Sequence, residues 1–205
     1  MADRKILLTA FGPFAGTTHN PSEQALESLK PSDFKTIQLI RKVLPVAWQL
    51  AHSQIIQQVE MQKPHMIVHM GVATQSSVVR LELQAQNLLD FRQPDNAGEQ
   101  PLGQPIHPHA PAYLQSQVDV QALADRMRTR GQPVEISPDA GLYVCNATYF
   151  QSLWRWPHLP TLFVHVPPLT PHWTLAQLLD VLNALLTELA ENSALVRTFD
   201  GLAAR

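Results

Sequence analysis

The chain has 205 residues, 45% of them hydrophobic, which is enough apolar material for one sizeable core and short for two. Fifteen Lys and Arg against seventeen Asp and Glu leave a net charge of -2, a balance that argues against nucleic acid or an anionic membrane as partner. A single cysteine excludes an internal disulfide, no apolar run reaches bilayer length, and the opening "MADRKILLTAFGPF" lacks a signal-peptide cleavage pattern. The expectation is one domain over residues 1–205, in a reducing cytoplasm, with no membrane segment.

In chain order, "KILLTAF" (5–11) predicts a strand that runs into a loop at Gly12, Pro13 and Gly16. Asn20-Pro21-Ser22-Glu23 then reads as a helix start: Asn20 caps, Pro21 suits the first helical position, and Glu23 reaches back to the cap's backbone NH. A second strand is predicted within 36–45, and a helix over 48–59 packing through Leu50, Ile55, Ile56 and Val59. "HMIVHMG" (65–71) is a third strand, and 78–83 is extended. Residues 87–113, rich in Pro, Gly, Asn and Asp, form a long excursion of the kind that often carries function.

A helix at 118–130, a strand at 134–136, a helix around Cys145, a strand at 162–166 and a leucine-rich helix at 175–189 complete the pattern. Leu178, Leu182, Leu185 and Leu189 of the last helix make a core-facing stripe. Strands alternating with helices predict an α/β chain, a three-layer α/β/α sandwich around a mainly parallel, mixed central sheet.

The lone Cys145 poses the chemical question: nucleophile or inert small core residue, with even odds from its own surroundings. On a helix, Tyr143, Ala147, Phe150 and Trp154 share a stripe, and Cys145 projects about 200° away from Tyr143. A helix that starts instead near Val144 puts the sulfur beside free backbone NH groups, which stabilise a thiolate and bind an oxyanion. His165, at the end of an apolar strand, is the best-placed base, and a backbone-bonded core histidine is an equal alternative. Glu82 interrupts an extended apolar segment, where a solvent-facing position is the commoner explanation.

Other constellations are weaker. His107-Pro108-His109 lacks a further ligand at metal spacing, and His65 and His69 sit on a strand, where they do not share a helical face. Gly12 and Gly16 lack the spacing and the Lys-Ser/Thr pair of a phosphate loop.

With "FGPF", "NPS", "RQPDNAGEQP", "SPDAGLYVCN" and "FVHVP" in order, the chain resembles the pyroglutamyl peptidase I (pyrrolidone-carboxylate peptidase) family from about Lys5 to the last helix. The resemblance implies an α/β/α cysteine exopeptidase, an omega-peptidase, that hydrolyses the amide bond after an N-terminal pyroglutamyl residue through a thioester. It implies Cys145 as nucleophile, His165 as base and Glu82 as the residue orienting the histidine. Phe11 and Phe14 match aromatic residues lining the lactam pocket, Asn20 a position near it, and Arg92 an arginine near the oxyanion. Tyr143 and Val144, directly before the nucleophile, complete the expected substrate-binding set.

Neither metal nor organic cofactor is implied. The implied partners are pyroglutamylated peptides and, as a homo-oligomer of tetramer size, other copies of the chain. The segment "GVATQSSVVRLELQAQN" keeps Gly71, Glu82, Ala85 and Asn87 at the family spacing but departs from it at Val72, Thr74, Gln75, Ser76, Leu83 and Gln84. Those departures motivate two alternatives: a catalytically weak pyroglutamyl-binding relative, and a cysteine hydrolase acting on another small amide or ester.

Overall fold

A computed structural model describes residues 4–14, 16–34 and 36–196, so the two ends of the expected 1–205 domain lie outside the described residues. In chain order the elements are β1 (Arg4–Phe11), α1 (Pro21–Ser28), β2 (Ile37–Leu44), α2 (Trp48–Gln62), β3 (Met66–Val72), β4 (Val79–Glu82) and β5 (Gln84–Gln86). There follow β6 (Tyr113–Gln115), α3 (Val120–Thr129), β7 (Val134–Ser137), α4 (Val144–Arg155), β8 (Thr161–Val166) and α5 (Leu175–Glu191).

Six strands form one sheet in the order β2-β1-β3-β8-β4-β7, and β5 pairs with β6 in a small antiparallel ribbon. Every neighbouring pair in the large sheet is parallel except β4 with β8. The sheet is therefore mainly parallel and mixed, as expected. Buried on both faces, its central strands read as near-continuous apolar runs. All residues of β8, and all of β3 but its last, are buried.

Alternation along β1 divides the core in two. Ile6, Leu8 and Ala10 belong to the cluster on the side of α1, α3 and α5, with Leu26, Leu123, Leu182 and Leu185. Leu7 and Phe11 face α2 and α4 with Ile55, Ala147 and Phe150. The leucine stripe of α5 is fully buried, as its spacing predicts.

Two local expectations need correction. On α2 the buried positions are Ala51, Ile55 and Val59, a clean repeat of four, while Leu50 is 53% exposed and Ile56 only half-buried. At α1, Asn20 does cap, but its Oδ1 accepts from the Ser22 NH (3.0 Å) and the Ser22 hydroxyl (2.8 Å), and its Nδ2 donates to the Gly12 carbonyl (3.0 Å). The short serine closes the cap, and the capping box expected with Glu23 is instead found at α5, between Thr174 and Gln177.

Candidate active site

The carboxyl ends of β1, β3 and β8 meet the amino end of α4, the end of an open α/β sheet where ligands gather. Asp139 accepts from the NH of Gly141 (2.9 Å), and Gly141 takes a φ of +78° that a side chain would resist, so the chain turns sharply into α4. The helix starts at Val144 with Tyr143 as N-cap, and Tyr143 makes no side-chain cap bond. This is the second of the two geometries open for Cys145. Residues 146–153 are buried all round, so the helix has no single apolar stripe, and Trp154 is 40% exposed. Cys145, the free thiol, is half-buried in the first turn.

His165 is buried near the end of β8, and its Nδ1 lies 2.7 Å from Glu82 Oε1. That contact leaves Nε2 as the nitrogen able to meet the Cys145 thiol, whose sulfur stands over Gly71, the residue opposite His165 in the β3–β8 register. Burial works against a charged ring. The hydrogen bonds from Cys145 and Glu82, with their charges, outweigh burial and raise its pKa from 6.5 to about 9. Glu82 is not the solvent-facing strand residue its pattern suggested: it is fully buried, opposite Phe163 in the antiparallel β4–β8 register. The Tyr149 hydroxyl donates to its backbone carbonyl at 3.1 Å. Sulfur, imidazole and carboxylate are thus neighbours, drawn from positions far apart in the chain.

Aromatic groups wall the neighbouring space. Tyr143 packs against Phe14 (ring centroids 5.2 Å apart) and Phe91 (4.6 Å), and its hydroxyl donates to the Pro94 carbonyl at 3.0 Å. Burial, then the charges of Asp95 and Cys145, push the Tyr143 phenol up to about 12, so it stays a neutral donor. Phe11 and Val144 are buried in the core beneath this wall. Arg92 is exposed and lines a cleft of about 500 Å³ with Asp90, Gln93, Asp139, Gly141, Leu142 and Tyr143.

The model for the pyroglutamyl peptidase family matches residues 4–181. The pyrrolidone-carboxylate peptidase of Lactobacillus johnsonii is 31% identical over 91% of this chain and 93% of its own, and that of Pyrococcus furiosus 34% identical over 80% of each. The crystal structure of Bacillus amyloliquefaciens pyroglutamyl peptidase I is similar at a TM-score of 0.86 with 26% identity, covering 93% of this chain and 98% of that one.

The chain belongs to the pyroglutamyl peptidase family.

Within this pyroglutamyl peptidase fold, residues 73–78 make a tight turn between β3 and β4. The NH of Ser76 donates to the Ala73 carbonyl (2.9 Å) and its hydroxyl to the Val78 carbonyl (2.7 Å), with Thr74 and Gln75 exposed. Val72 ends β3 half-buried. Leu83 packs against the α1/α3/α5 core, and Gln84 donates to the Pro138 carbonyl at 3.1 Å.

Several contributors carry no sequence signal. Asn146 is fully buried and ties the excursion to α4: its Oδ1 accepts from the Gln86 NH (2.8 Å) and its Nδ2 donates to the carbonyls of Gln86 (2.9 Å) and Leu88 (3.1 Å). Asp95, also buried, accepts from the NH groups of Trp48 (3.0 Å), Ala97 (2.9 Å) and Glu99 (3.0 Å). His69 bridges Thr9 Oγ1 (2.7 Å) and Ser152 Oγ (3.0 Å) between sheet and α4. The Asn next to Cys145 and the "PDN" turn were visible as residues, but the partners that tie them to the site, Gln86 and Leu88 for Asn146 and Trp48 for Asp95, lie tens of positions away. Among the described residues no cluster of three or more His, Cys, Asp or Glu could hold a metal ion, and no helix is long and apolar enough to cross a membrane.

Proposed function

We propose that the chain is a cysteine omega-peptidase that removes an N-terminal pyroglutamyl residue from peptides, with Cys145 as nucleophile, His165 as acid and base, and Glu82 orienting the histidine. The observation that carries this reading is the Glu82–His165 contact of 2.7 Å with the Cys145 thiol beside the same histidine, inside a chain of the pyroglutamyl peptidase family.

The geometry supports the following steps. The proton of the Cys145 thiol passes to Nε2 of His165, where the raised pKa holds it, and the sulfur attacks the pyroglutamyl carbonyl carbon, forming the C–S bond. The oxyanion settles on backbone NH groups of the first turn of α4, which have no side-chain cap to satisfy them, and the helix dipole adds to the attraction. His165 gives its proton to the departing amine as the C–N bond breaks. Water then loses a proton to the same nitrogen, adds to the thioester, and pyroglutamate leaves as the sulfur is released. The carboxylate of Glu82 stabilises the imidazolium in both halves and fixes Nδ1–H as its donor.

Phe14 and Tyr143 offer flat faces to an uncharged lactam ring, over a floor formed by Phe11 and Val144, and Arg92 lines the adjoining cleft, where it assists the developing oxyanion. Asn20 acts through the loop it pins at Gly12. A free amino terminus would bring a charge to this apolar wall and lack the closed ring, which accounts for selectivity.

The test is cleavage of a fluorogenic pyroglutamyl amide by the wild type and by Cys145→Ala. The expected result is turnover by the wild type alone, with a loss of at least about 10³-fold in the variant. Binding of the substrate without turnover by the wild type would favour a weak relative, and cleavage only of other amides would favour a different small-amide hydrolase. We further propose one domain over 1–205, a cytoplasmic location in which the lone thiol stays reduced, and a homo-oligomer of tetramer size, which gel filtration would reveal as a fourfold mass.

A further inference from the structure

We propose that Gly71 is a positioning residue whose missing side chain is the seat of the Cys145 sulfur. Gly71 lies near the end of β3, directly opposite His165 in the parallel β3–β8 register. A Cβ placed there would stand 2.8 Å from Cys145 Sγ, 3.0 Å from Phe163 Cζ and 3.3 Å from Phe163 Cε1. A separation of 2.8 Å is well inside the 3.5–4.0 Å optimum of even the smaller carbon pair.

The backbone does not require a glycine here. Gly71 is absent from the residues with positive φ, and glycine in a strand interior loses conformational entropy without packing anything in return. What the residue supplies is space, and the space is filled by the thiol. Neither neighbour can yield without consequence. Phe163 holds its ring 4.7 Å from that of His165, so pushing it aside disturbs the base. Turning the sulfur away instead takes it from the hydrogen-bonding position beside His165. The sequence signal is faint: a single glycine after an apolar strand, 74 positions before the cysteine it accommodates.

The proposal rests on the cysteine-peptidase reading, and its test separates the two. In Gly71→Ala, kcat for the fluorogenic pyroglutamyl amide falls by about 10²-fold with KM within about threefold, the cost expected of a roughly 1 Å misplacement of a reacting atom. Alkylation by iodoacetamide, which reports only Cys145 because the chain has no other thiol, becomes slower at pH 7. A purely structural role would leave both the kcat/KM split and the alkylation rate unmoved.

A melting-temperature cycle with Cys145→Ala completes the test. Gly71→Ala lowers the melting temperature more when sulfur is present than when it is absent, where only the Phe163 contacts remain. An equal loss in both backgrounds, failure of both Gly71→Ala proteins to fold, or an unchanged kcat overturns the proposal. A Gly71→Ala chain that folds only without the sulfur supports it. If the wild type cleaves no pyroglutamyl amide the function reading fails, and the alkylation rate and melting cycle still decide where the sulfur sits.

Discussion

The two faces of the central sheet are built from the same strands and differ in kind. Toward α1, α3 and α5 the sheet presents Ile6, Leu8, Val68, Met70, Leu81, Leu162 and Val164, an apolar surface throughout. Toward α2 and α4, alternate positions of the same strands present Thr9, His69, Glu82 and His165 among Leu7, Ile67 and Phe163. Buried polar groups cost free energy unless they find partners, and here most are linked: Thr9–His69–Ser152 in one chain, Glu82–His165 beside Cys145 in another, with Oε2 of Glu82 buried and unbonded among the described residues. One face supplies stability. The other spends part of it to hold the chemistry.

The sharpest way to break that division is Glu82→Gln. The amide fits the same space but does not stabilise an imidazolium, and kcat is expected to fall by about 10²–10⁴-fold, by analogy with the loss of a triad carboxylate. The sign of the pH effect follows from the raised His165 pKa. In the wild type the ring keeps its proton until pH rises through about 9, so the acid role and its share of stability, complete below 6.5, are lost on that alkaline side. Without the carboxylate the alkaline limb of kcat/KM moves to lower pH. A limb left unmoved would mean that Glu82 does not act on the ring.

Leu185→Ala tests the opposite face. This α5 side chain is fully buried in an apolar cluster, and truncation is expected to destabilise by about 2–5 kcal/mol in denaturant unfolding. The kcat measured well below the melting point stays within about twofold. A large loss of kcat in a folded Leu185→Ala protein would show that the faces are coupled.

A third measurement uses acid. Burial, with a smaller contribution from the charge of His52, lowers the His69 pKa to about 3, and burial, with Arg155 and His107, lowers that of His52 to about 4. Both histidines therefore fold neutral. Their contribution is complete above the unfolded value of 6.5 and is lost as pH falls toward the folded values. The loss for His69 is about 1.4 kcal/mol per pH unit over that window, and less for the partly exposed His52. Unfolding free energies measured from pH 7 to pH 4 should fall with this slope in the wild type and more gently in His69→Gln. Equal slopes would place the acid sensitivity elsewhere.

The same division explains what could be read from the sequence. The apolar face was legible because it depends on periodicity: the α5 stripe, the strand runs and the order of elements all follow from local pattern. The proposed triad was legible only through the resemblance, since a solvent-facing position was the commoner explanation for Glu82 and a core histidine an equal one for His165. The Thr9–His69–Ser152 bridge, the Asn146 tie and the sulfur's place over Gly71 were not legible, because each joins residues 57 or more positions apart through strand register. On α2, the buried face ran through Ala51 rather than Leu50, since a small residue fits where the helix passes close to its neighbours and a larger one was left outside.

Asn20 stands where the two faces meet, which makes it the finest test of their separation. It starts α1, a helix of the apolar face, and its Nδ2 also holds the Gly12 carbonyl at 3.0 Å, at the root of the loop that carries Phe14 to the aromatic wall. Asn20→Ala removes both functions and is expected to cost about 1 kcal/mol of stability, with a several-fold rise in KM as the loop loosens. Asn20→Asp keeps Oδ1 for the Ser22 NH and turns the donor to Gly12 into a carboxylate oxygen facing that carbonyl. If helix capping and site geometry are separable, Asp restores most of the melting temperature and leaves KM raised. If Asp restores both, the loop is held by its other contacts, such as the Asn96 Nδ2 bond to the Pro13 carbonyl at 3.1 Å, and Asn20 serves α1 alone.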